Sequence, residues 1–204
     1  MLEARHLDCI RGNQTLFTGL NCAVSRGEIL HVQGPNGCGK TTLLRILCGI
    51  TLAESGLVLW CGKDIRSNRA EFYSELAYVG HSHGIKLELT PRENLRMSMV
   101  LSGRDNAAGL AQALDQVGLS GSEDIPCASL SAGQRRRVAL GRLYLTPATV
   151  WILDEPLSAI DQAGSAEFES LLCRHAGNGG ITVLTGHQEL SVSGQSITNL
   201  SLPA

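Results

Sequence analysis

A glycine-rich segment followed directly by a helical pattern constrains the fold of this chain most strongly. Residues 34–47 read GPNGCGKTTLLRIL, in which three glycines precede Lys40 and the apolar residues after it recur at helical spacing. The preceding segment EILHVQ has the composition of a strand, and Gly49 is a suitable end for the helix. A strand, a glycine loop and a helix in this order predict an α/β architecture.

The rest of the chain supports the same class of fold. The apolar runs TVWILDE and GITVLTGH are short, β-branched and without alternation, which predicts two strands buried on both faces of a parallel sheet. EFESLLCRHAG between them fits a crossover helix, and the tail SITNLSLPA fits an edge strand. Further patterns predict short strands over residues 1–33, a strand over 56–61, and helices over about 92–118 and 130–144.

These elements predict a mostly parallel core sheet, an N-terminal antiparallel β lobe and a helical insert. We expect one domain over residues 1–204. Its β lobe and core take up approximately residues 1–85 and 145–204, and its helical insert residues 86–144.

Composition argues against several classes of partner. A net charge of −2 and an aromatic content of 4% disfavour nucleic-acid binding. The seven cysteines have no CxxC spacing, and the six histidines have no ligand-like pairing, so a cysteine or histidine metal site is not expected. No apolar run approaches 18 residues, so we expect no direct membrane insertion, and a membrane role would need a partner.

The glycine loop has the chemistry of a phosphate cradle. Gly34, Gly39, Lys40 and Thr41 stand at the spacing of a P-loop, in which backbone N–H groups and a helix N-terminus face phosphate oxygens. Lys40 is expected to reach the β- and γ-phosphates, and the Thr41 hydroxyl to bind Mg²⁺. The predicted nucleotide-binding residues here are Gly34, Pro35, Asn36, Gly37, Cys38, Gly39, Lys40, Thr41 and Thr42.

Two carboxylates follow the buried strand in VWILDEP. Asp154 at the strand end is the expected metal carboxylate, so the predicted Mg²⁺ residues are Thr41 and Asp154. Adjacent strand residues point to opposite faces, so Glu155 must have a different role. We expect it to act as the general base for an attacking water.

The segment LSAGQRRRVALGRL, residues 130–143, resembles the signature motif of ABC ATPases, which is usually LSGGQ. The resemblance implies an ABC-type P-loop ATPase that works as a head-to-tail dimer, with this motif gripping the γ-phosphate bound by the second copy. The implied nucleotide contacts are Ser131, Ala132, Gly133 and Gln134. Ala132 replaces a glycine, which is tolerable if its φ stays negative. Arg135, Arg136 and Arg137 are expected to form a solvated first helical turn.

Other segments resemble the same family. LSAID, residues 157–161, is similar to the loop that crosses the dimer seam, and His187 in TGH is similar to the switch histidine, which implies a catalytic role for Glu155 and His187. His81 stands where the family usually has a glutamine that contacts the nucleotide site. No adenine-stacking aromatic occurs near Ile10 or Arg11, so Arg11 is a candidate stacker.

Within the family, YVGHSHGIKLELTPRENL and WILDEPLSAIDQAG resemble the ATP-binding subunits of haem exporters for cytochrome c biogenesis. The resemblance implies ATP and Mg²⁺ as cofactors, and a transmembrane subunit resembling CcmB with further haem-handling membrane proteins as partners. It also implies a peripheral location on the cytoplasmic face of the bacterial inner membrane. An ABC ATPase for another solute, a non-transport ABC ATPase and a P-loop kinase remain as alternatives.

Overall fold

The computed structural model describes residues 1–103, 107–186, 190, 192 and 194–203. The strands are β1 (Leu2–Arg11), β2 (Gln14–Val24), β3 (Glu28–Gln33), β4 (Ser55–Trp60), β5 (Lys63–Asp64), β6 (Leu76–Val79), β7 (Val150–Leu153), β8 (Ile181–Thr185) and β9 (Ser196–Ser201). The helices are α1 (Lys40–Leu47), α2 (Arg69–Ser74), α3 (Pro91–Leu101), α4 (Ala107–Gln116), α5 (Ala132–Leu145) and α6 (Gln162–Gly177).

The strands form two sheets of different kinds. Strands β2-β1-β4-β5 form an antiparallel lobe, and strands β6-β7-β8-β3-β9 form a parallel sheet with β9 at its edge. The predicted mostly parallel core sheet and N-terminal antiparallel lobe are therefore confirmed. The expectation of short strands over residues 1–33 is confirmed for β3, which has six residues, and is wrong for β1 and β2, which run for 10 and 11 residues. Their pairing continues through register shifts, one of which lies next to His6 at φ 50°.

Helix α1 packs between the two sheets. Leu43 and Leu44 are completely buried and belong to one apolar cluster with Phe17 of β2 and Val183 of β8. Burial of a leucine side chain contributes about 1.5–3 kcal/mol, so this cluster fixes α1 firmly against the end of β3. The glycine loop that joins β3 to α1 is consequently held at the carboxyl edge of the parallel sheet.

Helices α3, α4 and α5 pack around a separate apolar cluster that includes Leu95, Leu114 and Val138. Thr90 and Glu93 form a capping box at the start of α3. Leu140 of α5 belongs instead to the cluster beneath β7, so α5 connects the helical insert to the parallel sheet. In the described part of the chain, none of the helices is long and apolar enough to cross a bilayer.

Candidate nucleotide-binding site

The candidate site lies where three neighbouring parallel strands end. Strand β8 lies between β3 and β7 in the sheet, and all three run in the same direction. The carboxyl ends of parallel strands meet at one edge, which is where ligands bind in open α/β sheets. The glycine loop follows β3, Asp154 follows β7, and Thr185 ends β8. Residues far apart in the sequence are thereby brought together.

The glycine loop closes around the amine of Lys40. The Nζ atom of Lys40 donates to the carbonyl oxygens of Gly34 and Pro35, at 2.7 and 2.9 Å, and the residue is only 7% exposed. Gly34 has φ 148°, and a Cβ there would lie 2.7 Å from Sγ of Cys38. The first N–H groups of α1 have no side-chain cap. The loop therefore presents a cation and backbone donors together, which is the chemistry that binds a phosphate chain.

Asp154 is the centre of the polar network at the strand ends. Its carboxylate is 1% exposed and accepts from the hydroxyl of Thr41 at Oδ2 and from that of Thr185 at Oδ1, each at 2.8 Å. The oxygen of Thr185 also accepts from the backbone N–H of Glu155 at 2.8 Å. The buried carboxylate is thus held by two hydroxyls, and one of them also fixes the main chain of the next residue.

The donor set around Asp154 suits Mg²⁺. Thr41 and Asp154 offer oxygen atoms, and Mg²⁺ prefers one or two carboxylates together with substrate phosphates. Within the described residues, no group of three or more histidine, cysteine, aspartate or glutamate side chains could hold a metal ion. The oxygens of Thr41 and Asp154 therefore fit a metal that is completed by a nucleotide, rather than one enclosed by the protein.

Glu155 has an unusual backbone conformation. Its φ is 49°, in the left-handed region of backbone conformation that residues other than glycine rarely adopt. Its Oε2 atom lies 3.8 Å from Nδ1 of His81, and the two side chains are 28% and 71% exposed. His81 lies in the loop after β6, beside a cavity of about 310 Å³ that Thr41 also lines. Asp154 and Glu155 both follow the last residue of β7, so a left-handed turn at Glu155 stands where the sequence predicts strand alternation.

The predicted signature residues cap α5. The hydroxyl of Ser131 accepts from the backbone N–H of Gln134 at 3.1 Å, and Oε1 of Gln134 accepts from the N–H of Ser131 at 2.9 Å. Neither bond reaches the glycine loop, and Ser131 and Ala132 are exposed. Ala132 is not among the residues with positive φ, so the condition for its methyl group is met. The structure therefore places the first two of these signature residues at the surface.

The signature motif packs closely against the segment Leu157–Asp161 of the same chain. A Cβ at Gly133 would lie 2.5 Å from the carbonyl oxygen of Ala159, which explains why this position needs glycine. Nη2 of Arg137 lies 2.5 Å from Oδ1 of Asp161, which caps α6. These two contacts fix the start of α5 relative to the loop after Glu155.

The expectation that the arginine run is a solvated turn is wrong. Arg136 is completely buried, and Arg135 donates to the carbonyl oxygens of Cys127 and Ala128. Arg136 lies on the same helical face as Leu140 and Leu143, at spacings of four and seven residues, which is the signal that identifies it as buried.

The predicted catalytic residue His187 lies outside the described residues. Its neighbour Gly186 is described, and its carbonyl oxygen lies 3.3 Å from Nε2 of His31 on β3. Because a carbonyl only accepts, Nε2 carries the proton, and Nδ1 accepts from Gln33 at 3.2 Å. Burial lowers the pKa of His31, which favours this neutral form.

The residues near the candidate adenine site, Ile10 and Arg11, are exposed at the end of β1.

Three residues of the site were not predicted from the sequence. Thr185 and His31 are single residues in buried strands and belong to no motif. For Thr185, the hydroxyl group at the end of a buried strand is a signal that could have indicated a place in the site. Arg136 was predicted to be solvated. All three act on neighbouring main chain or on Asp154.

Comparison with known proteins agrees with this geometry. The family described as ABC transporter matches residues 17–158. A cytochrome c biogenesis ATP-binding export protein CcmA from Yersinia pestis is 48% identical over 99% of this chain and 93% of its own length. The protein of the same name from Methylococcus capsulatus is 49% identical, over 95% of this chain and 94% of its own.

Solved structures share the fold. An ATP-binding protein from Pyrococcus furiosus, described as a putative ABC transporter, superposes with a TM-score of 0.83 at 23% identity, covering 98% of this chain and 96% of its own. The dimeric cassette MJ0796, in a post-hydrolysis state bound to ADP and Pi, superposes with a TM-score of 0.85 at 19% identity, covering 99% and 96%. The predicted ABC-type P-loop fold is confirmed. The chain therefore belongs to the ABC transporter family of ATP-binding proteins and, within it, to the CcmA family of cytochrome c biogenesis proteins.

Proposed function

We propose that this chain is the ATP-hydrolysing subunit of an ABC transporter complex for cytochrome c biogenesis. Residues 1–204 form one ATPase domain in this proposal. Hydrolysis by the domain is coupled to haem export or to release of a haem-bound chaperone at the membrane. The assignment to ATP hydrolysis is supported by the buried carboxylate of Asp154 held against the glycine loop by Thr41. The assignment to haem export is supported by CcmA relatives that are 44–49% identical over nearly the whole chain.

In the proposed site, the glycine loop binds the phosphate chain of ATP. Lys40 leaves its two carbonyl partners in the loop and neutralises the β- and γ-phosphates, while the uncapped amides of α1 donate to phosphate oxygens. Thr41 and Asp154 would hold Mg²⁺, which supplies charge neutralisation at the phosphates. Thr42, as the next residue of α1, completes the cradle.

Glu155 is the proposed general base. Its carboxylate accepts a proton from water as the water oxygen bonds to the terminal phosphorus. The bond from this phosphorus to the bridging oxygen breaks, and ADP leaves with the electron pair. His81 and His187 are proposed to position the base and the γ-phosphate, respectively. The hydroxyl oxygen of Thr185 accepts from the backbone N–H of Glu155, so the main chain that carries the base is held from β8.

A second copy of the chain completes the proposed site. Ser131 and Ala132 are exposed at the N-terminus of α5, where a hydroxyl, backbone N–H groups and a helix dipole face outward. We infer that Ser131, Ala132, Gly133 and Gln134 contact the γ-phosphate held by Lys40 of the other copy. A head-to-tail pair then encloses two ATP molecules, and neither copy has a complete site alone.

The proposed membrane partner is a transmembrane subunit resembling CcmB, joined by further haem-handling membrane proteins. The chain would lie peripherally on the cytoplasmic face of the bacterial inner membrane and pass its motion to the partner through the helical insert. The segment from His81 to Glu93 runs from the site into the first turn of α3, which begins at Pro91, and is therefore suited to carry this motion.

Co-purification from membranes tests the proposal. The full chain and its Glu155→Gln variant are each isolated with their membrane partners, and the haem-bound intermediates are followed spectroscopically with and without ATP. We expect haem-handling proteins to co-purify with both forms, and ATP to change the haem-bound species only with the wild type. Recovery of permeases for another solute, or of DNA or ribosomes, would contradict the haem assignment. Phosphate transfer to a small acceptor would indicate a kinase.

A further inference from the structure

Arg136 is a buried cation that the proposed function does not use. It is 0% exposed and is the largest side chain of the described residues to be fully buried. Its guanidinium donates to three main-chain carbonyl oxygens: Nη2 to Asp154 at 2.5 Å, Nη1 to Gly80 at 2.8 Å, and Nε to Pro156 at 3.2 Å. One side chain of α5 therefore bonds the main chain at three points on two other segments.

The burial of this charge needs an explanation, because an isolated ion is costly to remove from water. Among the described residues, no carboxylate lies within ion-pair distance of the guanidinium, so its partners are neutral carbonyls. Burial lowers the pKa of Arg136 to about 10, while the negative charges of Asp154 and Glu155 oppose this shift. The side chain is still a cation at neutral pH, and all three nitrogen atoms make hydrogen bonds.

The three acceptors surround one residue. Asp154 and Pro156 are the immediate neighbours of Glu155, so their carbonyls lie on either side of it along the chain. Gly80 directly precedes His81, whose ring contacts the carboxylate of Glu155. A planar guanidinium with three occupied nitrogen atoms fixes both the turn that carries Glu155 and the loop that contacts it.

The main chain here also needs such support. Glu155 has φ 49° and Ala159 has φ 61°, conformations that cost free energy and persist where the surroundings hold them. Thr185 holds the N–H of Glu155 from β8, and Arg136 holds the carbonyls on both sides from α5. Helix α5 begins immediately after its cap at Ser131, so the same rigid helix carries Arg136 and the signature residues.

We propose that Arg136 is a positioning residue of the ATPase, which fixes the main chain around Glu155 and couples it to the signature end of α5. The inference deepens the proposed function and rests on it. Arg136 touches no reacting atom. It acts by holding the carboxylate of Glu155 in the orientation for proton transfer whenever α5 is docked.

Two variants of Arg136 and one of its neighbour test this role in the purified full chain. Arg136→Lys keeps the charge but loses the three-way geometry, and Arg136→Gln loses both. Arg135→Gln is the matched control, because Arg135 lies on the same turn and donates to two carbonyls, those of Cys127 and Ala128, within the helical insert. For each variant, kcat and KM for ATP hydrolysis are measured beside ATP binding and thermal unfolding.

We expect kcat to fall by at least about tenfold in Arg136→Gln and by a smaller factor in Arg136→Lys, since small misplacements of a catalytic group are costly. KM and ATP affinity should stay within about threefold of the wild type, because the glycine loop is unchanged. Arg135→Gln should match the wild type. An unchanged kcat in Arg136→Gln would overturn the inference, as would parallel losses of kcat and ATP binding.

A second measurement covers the case in which Arg136→Gln does not fold. Hydrogen exchange is compared between the wild type and Arg136→Lys for the amides of Asp154, Glu155 and Leu157, with α1 as the internal reference. We expect faster exchange at these three amides and unchanged exchange in α1. If exchange in Arg136→Lys equals that of the wild type at both places, or is faster by the same factor at both, the proposed role is contradicted. If the wild type hydrolyses ATP no faster than Glu155→Gln does, the proposed function itself is contradicted, whatever the Arg136 variants show.

Discussion

The hydroxyl of Thr41 donates to Oδ2 of Asp154 at 2.8 Å, although 113 positions separate the two residues in the sequence. This bond joins the start of α1 to the end of β7 across the carboxyl edge of the sheet. The same two residues are the predicted Mg²⁺ residues, so the contact brings together the pair that the metal would need.

Replacing Thr41 separates its structural role from its role in metal binding. We expect Thr41→Val to destabilise the chain by about 1–3 kcal/mol, because one oxygen of the buried Asp154 carboxylate loses its donor. ATP hydrolysis should fall by about 100-fold or more and respond weakly to added Mg²⁺. Thr41→Ser keeps the hydroxyl and should retain most activity. Thermal unfolding and ATPase assays over a range of Mg²⁺ concentrations measure both effects, and full activity of Thr41→Val would contradict the prediction.

Thr185 and Thr182 on β8 form a matched pair. Thr185 bridges Asp154 and the N–H of Glu155, whereas in the described structure the buried hydroxyl of Thr182 has no hydrogen-bond partner. We expect Thr185→Val to lower kcat by about 10- to 100-fold, as loss of a supporting contact does at metal sites. Thr182→Val should leave kcat unchanged and leave the free energy of unfolding unchanged or raise it. Equal effects of the two substitutions on kcat would show that the bridge has no special role.

Replacing Glu155 tests the assignment of the base. Glu155→Gln removes the proton acceptor while keeping the shape of the side chain, so hydrolysis should fall by about 10²- to 10⁴-fold. ATP binding should persist, and the variant should accumulate as an ATP-bound dimer on size-exclusion chromatography. Asp154→Ala, which removes the predicted metal carboxylate, should abolish turnover without trapping this dimer. Near-normal hydrolysis by Glu155→Gln would exclude Glu155 as the base.

Adding a methyl group at position 133 is expected to affect stability more than removing one at position 132. Gly133→Ala places a Cβ 2.5 Å from the carbonyl oxygen of Ala159, so the loop after Glu155 must shift. We expect a loss of about 1–3 kcal/mol in stability and weaker ATP-dependent dimerisation. Ala132→Gly, at an exposed position, should change stability by no more than about 1 kcal/mol. Denaturant unfolding and light scattering with ATP provide the comparison.

His175 makes stability depend on pH. Its ring stacks on Trp151 at 3.6 Å, and burial lowers its pKa from 6.5. Because the unfolded state then binds a proton more readily than the folded state, the free energy of unfolding should decrease as pH falls below about 6.5. His175→Phe keeps the stack and cannot titrate, so its stability should fall less steeply between pH 7 and pH 5. Urea unfolding at several pH values measures the slope, and identical slopes would refute the assignment.

Much of the site could be predicted because its residues stand in contiguous motifs. Lys40 and Thr41 follow a glycine loop of fixed spacing, and Asp154 ends an apolar run that only a buried strand explains. In each case, the local chain alone defines both the element and the position of the side chain. The structure places these residues at one edge of the sheet.

The remaining parts depend on tertiary contacts that leave little trace in the local sequence. Arg136 lies in a run of three arginines that is polar by composition, and only its helical phase relative to Leu140 and Leu143 indicates burial. Strand β6 has four residues and no turn signal before it, so it was not predicted, although it pairs with β7 and leads to His81. The left-handed backbone of Glu155 is likewise fixed by Thr185 and Arg136, not by its own residue type.

Strand β8 stands between the other two strands of the site, and it is also the last of the three to be synthesised. A nascent chain that ends before residue 181 has its glycine loop and Asp154, but lacks the strand that sets their spacing. The spacing between the glycine loop and Asp154 therefore depends on a strand that follows both of them in the sequence.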